Sequence, residues 1–246
     1  MQNKLKSVAI VLRRWPYSES SLVFRAITPQ LGTVSVLAKG VQKLKSGNIG
    51  VIDTWALIEV ELSRPPKSEI FNLIKARLID RMSGLSNDIQ VLNAAGILVE
   101  IAETGAPPEQ ESRAIFIWLQ KWLQRLSEGD DPQLVLCRAI IEALELLGLN
   151  LQLPSAIEHQ SYWFSPADGG CLIDSSKPRP DLAARTAKAS EIDALRQIAH
   201  ANDTNLPNNL GNLAACITLL GDFLHYHLER LPKAWQMYIK SQPATN

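Results

Sequence analysis

Cysteine, long apolar runs and catalytic signatures are all scarce in this sequence of 246 residues. Its three cysteines, Cys137, Cys171 and Cys216, are odd in number, far apart and without a CxxC pair, which argues against a disulfide framework. No stretch approaches the roughly 18 uninterrupted apolar residues of a membrane-spanning helix. The N-terminus, "MQNKLKSVAIVLRRWPYSESS", breaks its short apolar run at Arg13-Arg14 and offers no small-residue cleavage site, so a cytoplasmic protein is expected. GxSxG, HExxH, GxxxxGK[ST] and GxGxxG are absent, and Lys45-Ser46-Gly47 lacks the glycine frame with which a P-loop wraps a phosphate. An enzyme is therefore not expected. Net charge is also lacking, at a formal value of zero, but that zero conceals two unlike halves.

Residues 1–80 carry twelve Lys/Arg against six Asp/Glu, net +6, whereas residues 81–246 carry thirteen against nineteen, net −6. Within the first 45 residues, Lys4, Lys6, Arg13, Arg14, Arg25, Lys39, Lys43 and Lys45 face the single acid Glu19. This division suggests a polyanion-binding segment beside an acidic partner domain, or else a solvated basic face.

The apolar period changes near the same boundary. From Ser7 to about Ile79 the chain reads as short strands, "SVAIVLR", "SLVFRAIT", "GTVSVLAK", "TWALIEVEL" and "EIFNLIKARLI", the last also compatible with a helix through Ile70, Ile74 and Leu78. Five strands in so short a span predict a small closed barrel. Alternation buries Val34, Val36 and Ala38, turns Lys39 outward, and buries Ala56, Ile58, Val60 and Leu62. It also faces Trp55 away from that core strip.

Beyond Arg81 the period is helical. "RAIFIWLQKWLQRL" places Ile115, Trp118, Leu119, Trp122 and Leu126 on one face, with Pro107-Pro108, Glu109 and Glu111 suited to the first turn. Further helices are predicted through Cys137, Ile140, Ile141, Leu144 and Leu147 to Gly148, and through Leu213, Ile217, Leu220, Leu224 and Leu228. "SNDIQVLNAAGILVEIA" is apolar enough all round to be central in the bundle, and Asp130-Asp131 suits a turn or helix cap. One interruption, "SYWFSPADGGCLID", predicts a β-hairpin near residues 162–173. The fold class is α+β: a strand domain over residues 1–80 and a helical domain over 81–246 with a small inserted hairpin.

His225 and His227 stand at i and i+2, about 200° apart around a helix, so they cannot share a metal there and read as surface histidines. Cys137 and Cys216 read as small core residues. Nucleic-acid binding suits the strand domain better, because it needs several cations on one surface and, for single strands, aromatic planes for the bases. The candidate phosphate contacts are Arg13, Arg14, Arg25, Lys39, Lys43, Lys45, Lys75 and Arg77, and the candidate stacking residues are Trp15, Tyr17 and Trp55. An RNA-binding module or a non-catalytic protein-interaction scaffold would share these electrostatics.

The stretch "AIVLRRWPYSESSLVFRAITPQLGTVSVLAKGVQKLKS" resembles the opening of the RecO family of bacterial recombination mediators, with its "YSESS" turn, its G-x-x-x-x-x-AKG spacing and its basic loop ending in Lys-Ser. "LLGLNLQLP", the hairpin "YWFSPADGGCLI" and "LPKAWQMYI" follow in the family's order, so the resemblance spans nearly the whole chain. It implies an N-terminal OB-fold, a helical C-terminal domain and no hydrolytic or transferase activity. It further implies binding of single- and double-stranded DNA, annealing of complementary strands, and action with RecR and the C-terminal tail of single-stranded-DNA-binding protein (SSB) to load RecA, in the bacterial cytoplasm at the nucleoid. Many relatives bind a structural zinc through two CxxC pairs around the hairpin. Here "LPSAIEHQSYW" precedes it and Cys171 alone follows, so His159 and Cys171 leave the tetrahedral set incomplete and no cofactor is expected. The hairpin is expected to be held by packing of Tyr162, Trp163 and Phe164.

Overall fold

A computed structural model describes residues 4–42, 50–172, 184–201, 206–207, 210–228 and 232–241. The chain forms two compact units, Met1–Asp88 with Val99–Glu128, and Ile89–Leu98 with Gly129–Asn246.

In the first unit β1 (Lys4–Ser18), β2 (Ser21–Thr28), β3 (Gly32–Ala38), β4 (Leu57–Ser63) and β5 (Ile70–Asp80) close into a barrel of order β1-β2-β3-β5-β4, the arrangement expected of an OB-like fold. Closure depends on the length of β1. Its first half pairs with β4, from Lys4↔Ser63 to Ile10↔Leu57, and its second half with β2, from Ile10↔Ile27 to Ser18↔Ser21. The alternation in the sequence survives: Val34, Val36, Ala38, Ala56, Ile58, Val60 and Leu62 are all buried in the barrel interior with Phe24 and Phe71. Each Val, Ile or Leu among them contributes about 1.5–3 kcal/mol on burial. "EIFNLIKARLI" is a strand rather than a helix, because pairing with β4 from Ser63↔Asn72 to Leu57↔Asp80 outweighs its local helical spacing.

Helix α1 (Ile89–Gly105) contributes its Val99–Gly105 end to this unit, and α2 (Arg113–Glu128) packs against β2. Ile115, Trp118, Leu119, Trp122 and Leu126 are buried along one face of α2 as the spacing requires. Its start differs from expectation. Pro107-Pro108, Glu109 and Glu111 are not in the first turn, since the helix begins at Arg113 after Ser112, whose carbonyl accepts from the Phe116 N–H at 2.9 Å. The preceding segment is instead stitched to the β2–β3 turn: Thr33 N–H donates to Ala106 O at 3.1 Å, Glu109 N–H to Leu31 O at 2.9 Å and Ser112 N–H to Pro29 O at 2.9 Å. Gly32 permits this approach. Its φ is +59°, and a Cβ there would lie 2.1 Å from Pro107 O.

In the second unit α3 (Pro132–Leu146) opens on Asp131, whose Oδ1 accepts from the N–H groups of Gln133 and Leu134 at 2.9 Å each, and stops before Gly148 at φ +75°. It packs against α4 (Ala189–His200) and α5 (Leu213–Leu228), burying Cys137, Ile140, Ile141, Leu144, Ile217, Leu220 and Leu224. Helix α6 (Lys233–Ser241) presses Trp235 onto Gly221, where a Cβ would stand 2.3 Å from the ring. The first half of α1 buries Ala94, Ala95, Ile97 and Leu98 but exposes Ile89, so it is less enclosed than its composition suggests. The hairpin forms from β6 (Ser161–Ser165) and β7 (Gly170–Leu172), and β8 (Arg185–Lys188) adds a third strand on the other side of β6 that the sequence reading did not contain. Tyr162 and Phe164 are buried and Trp163 is half-buried. The Tyr162 hydroxyl accepts from the N–H groups of Glu158 and His159, at 2.9 and 3.2 Å.

Candidate nucleic-acid interface

The sequence-predicted residues fall into three groups with different electrostatic surroundings. The first lies at the hairpin end of the barrel, where β1 turns into β2 between Ser18 and Ser21. Pro16 pairs with Leu22 and Leu22 with Ala38, so this row crosses three strands and Tyr17 and Lys39 both stand just past it. Both described feet of the lysine-rich loop are fixed at the same end. On one side Gly40, at φ +63°, donates its N–H to Ser21 Oγ at 3.1 Å, and Gln42 N–H donates to Ser20 O at 3.0 Å. On the other, Arg14 pairs with Asp53 at 3.0 Å and donates to Ile52 O at 3.3 Å, while Arg81 pairs with the second oxygen of Asp53 at 3.1 Å and donates to Gly50 O at 2.9 Å. Lys43 and Lys45 lie outside the described residues. Lys39 is exposed and makes no ion pair among the described residues. Trp15 and Tyr17 keep 44% and 66% of their surface open to solvent, a large fraction for aromatic side chains.

Trp55 departs from expectation. Strand β4 begins only at Leu57, and Trp55 occupies a turn at φ +66° instead of an outward strand position. Its N–H donates to Val11 O at 2.6 Å, and Ala56 N–H closes the turn on Asp53 O at 3.2 Å. Val11 N–H in turn donates to Ala56 O at 3.0 Å, so residues 55–56 are bonded to β1 just before its register shift past Val11. Trp55 is half-buried.

The second group is Arg13 with Arg25, which face one another directly across β1 and β2. Glu103 lies between them, accepting from Arg13 Nη2 at 2.8 Å and pairing with Arg25 Nε at 3.4 Å, and Glu100 adds a contact to Arg13 at 3.9 Å. The third group is on the opposite flank. Lys75 pairs in register with Glu61 and Arg77 with Glu59, and Lys6 approaches Glu61 from the other side. Together they line a groove of about 480 Å³. Arg77 holds Glu59 through two hydrogen bonds, Nε to Oε2 at 2.9 Å and Nη2 to Oε1 at 2.5 Å. The hydrogen bond from Arg77 holds the Glu59 carboxyl below its ordinary range, and the reciprocal bond raises the guanidinium.

The structure thus gathers Trp15, Tyr17 and Lys39, ties Arg14 to Asp53, and places Arg13, Arg25 and Arg77 on flanks where acids already meet them, with Lys75 in register with Glu61. Those acids and Arg81 were absent from the sequence reading. Glu59 and Glu61 were detectable, since alternation in "TWALIEVEL" turns both outward opposite a strand carrying Lys75 and Arg77. Glu103, 90 residues from Arg13 in the chain, carried no local signal.

The remaining titratable candidates are of another kind. Cys137, Cys171 and Cys216 are free and buried, and burial pushes the Cys171 and Cys216 thiols up to about 12 and raises that of Cys137. Such thiols are poor nucleophiles and poor metal ligands. His225 is exposed, but His227 is not an ordinary surface histidine: its Nε2 donates to Pro166 O at 3.0 Å and its ring packs at a tilt against Phe223 with centroids 4.4 Å apart. Among the described residues no group of three His, Cys, Asp or Glu could hold a metal ion, and none of the described helices is long and apolar enough to cross a membrane.

Comparison with known proteins agrees with this architecture. The family described as "Recombination protein O N terminal" matches residues 1–82, and "Recombination protein O C terminal" matches residues 86–236. Among curated relatives, the DNA repair protein RecO of Caldicellulosiruptor bescii is 24% identical over 222 residues, covering 87% of this chain and 90% of the relative. That of Dehalococcoides mccartyi is 25% identical over 242 residues, covering 93% and 92%. RecO of Bacillus subtilis is 24% identical over 171 residues, covering 68% and 66%. With both halves matched over nearly its entire length, the chain belongs to the RecO family of DNA repair proteins.

Proposed function

We propose that this RecO-family protein is a non-catalytic mediator that binds single- and double-stranded DNA at the hairpin end of its barrel and promotes annealing of complementary strands. The observation that carries the reading is the grouping of Trp15, Tyr17 and Lys39 around the two feet of the lysine-rich loop. Bases stack on exposed aromatic planes regardless of sequence, and lysines neutralise phosphates without fixing register. Annealing needs both properties. Two polyanions approach each other once cations lower their repulsion, and bases held by stacking alone exchange readily into pairs.

In recombinational repair this activity would act on strands coated by SSB, with RecR as the partner that helps RecA replace the coat. No metal is required on this reading. The hairpin that binds zinc in many relatives is held here by packing and by backbone bonds from Gln152 N–H to Gly169 O at 2.8 Å and from Cys171 N–H to Gln152 O at 2.9 Å.

The test compares the wild type with a variant carrying Lys39, Lys43 and Lys45 all changed to Ala, using oligonucleotide binding across a salt series and annealing with and without SSB. Each neutralised phosphate contributes roughly 0.7 to the single-strand salt slope, so the variant should lose about 2 from the slope and most annealing. An unchanged slope in a folded variant would remove the loop from the DNA path. Equal or tighter binding of RNA would replace DNA as the preferred ligand.

A further inference from the structure

Arg13 and Arg25 bear like charges directly opposite each other on neighbouring strands, an unfavourable pairing unless something stands between them. Glu103 does so with both oxygens, Oε2 toward Arg13 at 2.8 Å and Oε1 toward Arg25 at 3.4 Å. Two guanidinia sharing a two-oxygen anion is also how arginines take the non-bridging oxygens of a phosphodiester. The surroundings of Glu103 on its own helix do not favour an acid. Glu100 and Glu103 occupy the closing turns of α1, which has no basic residue in its last turn, and carboxylates there oppose the helix dipole. The pairing is also reachable from solvent, since the side chains of Arg13 and Arg25 stay 46% and 40% exposed. Arg13 lies two residues from Trp15 on β1, roughly 7 Å along the strand, about the span of one nucleotide in an extended single strand.

We propose that Arg13 and Arg25 form a latent site for a backbone phosphate, and that the Glu103 carboxylate is the resident anion that keeps it closed. The inference rests on DNA binding at the hairpin end. A strand held by Trp15, Tyr17 and the lysine loop would reach the arginine pair only by displacing Glu103, so the site limits affinity and footprint until that carboxylate leaves. Full-length Glu103→Gln measures this directly. Its single-strand salt slope should steepen by roughly 0.7, one phosphate's worth, so its gain over the wild type should shrink about 2.6-fold between 50 and 200 mM salt.

Glu111→Gln, an equal change of charge at an exposed position of the same unit, sets the effect of charge alone and should give a much smaller change. Arg25→Gln added to Glu103→Gln should take back a large part of the gain, because one guanidinium alone no longer clamps both oxygens. If Glu103→Gln destabilises the barrel, Glu103→Asp withdraws the carboxylate by one methylene at constant charge and should shift binding in the same direction. A slope for Glu103→Gln no steeper than for Glu111→Gln, or a gain that survives Arg25→Gln intact, would show the pair to be purely structural. If neither the wild type nor Glu103→Gln binds single strands, the inference and the proposed function fall together. If the wild type binds through Lys39 and Trp15 but Glu103→Gln adds nothing, the inference alone falls.

Discussion

The hairpin end of the barrel and its flanks carry the same kinds of cation and differ in what faces them. At the end, Arg14 and Arg81 share Asp53, but Lys39 is exposed without an ion pair among the described residues, beside the open rings of Trp15 and Tyr17. On the flanks, Arg77 is met by Glu59, and Arg13 with Arg25 by Glu103. Counting charges over residues 1–80 treats all of these as equal contributors to a surplus of +6. Placement separates them: an antiparallel neighbour presents Glu59 at the height of Arg77, and α1 presents Glu103 to Arg13 and Arg25, each turning a phosphate contact into an internal pair. Surplus charge therefore measures attraction at a distance, while the contact surface is the smaller part of it left without an acid opposite.

The largest effect expected from breaking this contrast is at the aromatic rings. Stacking is worth about 1–3 kcal/mol per base, so Trp15→Ala with Tyr17→Ala should weaken single-strand binding by about one to several orders of magnitude. Duplex binding, which offers no free base faces, should fall far less. Titration of both forms by calorimetry reads the ratio directly. A parallel loss for both would mean that the rings serve the hairpin's packing and not the bases.

Period and burial explain what the sequence made legible. Alternation in "TVSVLAK" and "TWALIEVEL" carried the barrel interior through Val36, Ile58 and Leu62 to the observed core, because a one-residue slip would have exposed every one of them. The same alternation failed at Trp55, where a turn closed on Asp53 intervenes and the strand has not begun. It had no means of recognising that Pro107 and Pro108 serve the β2–β3 turn, since that role depends on Gly32 lying 75 residues upstream. Strand β8 is four residues long and has only Ala187 buried, too little pattern to announce itself. Of the candidate site, the lysine loop and aromatic pair were legible as local composition, whereas the acids that close the flanks were long-range partners.

A smaller effect is expected from opening the β4–β5 flank. Glu59→Gln with Glu61→Gln leaves Lys6, Lys75 and Arg77 lining the same groove without their acids. The single-strand salt slope should rise by up to about 1.4 if two of the three cations then meet phosphates. Lys75→Ala in the wild-type background should change the slope by less than the roughly 0.7 of a full contact. Filter binding across a salt series separates the outcomes. A full 0.7 loss from Lys75→Ala would place this flank on the DNA path already and erase its difference from the hairpin end.

The smallest effect concerns pH. The hydrogen bond from Arg77 lowers the Glu59 carboxyl below its unfolded value of about 4.3, so the pair adds stability above that value and loses it as pH falls through the lower folded value. Both groups are exposed, so solvent screens the pair and the contribution is slight. Thermal melts of the wild type and Glu59→Gln should differ most at neutral pH, with the wild type higher, and converge once pH falls below the lowered folded value. A gap that persists undiminished into acid would assign the stabilisation to packing of the side chain rather than to its charge.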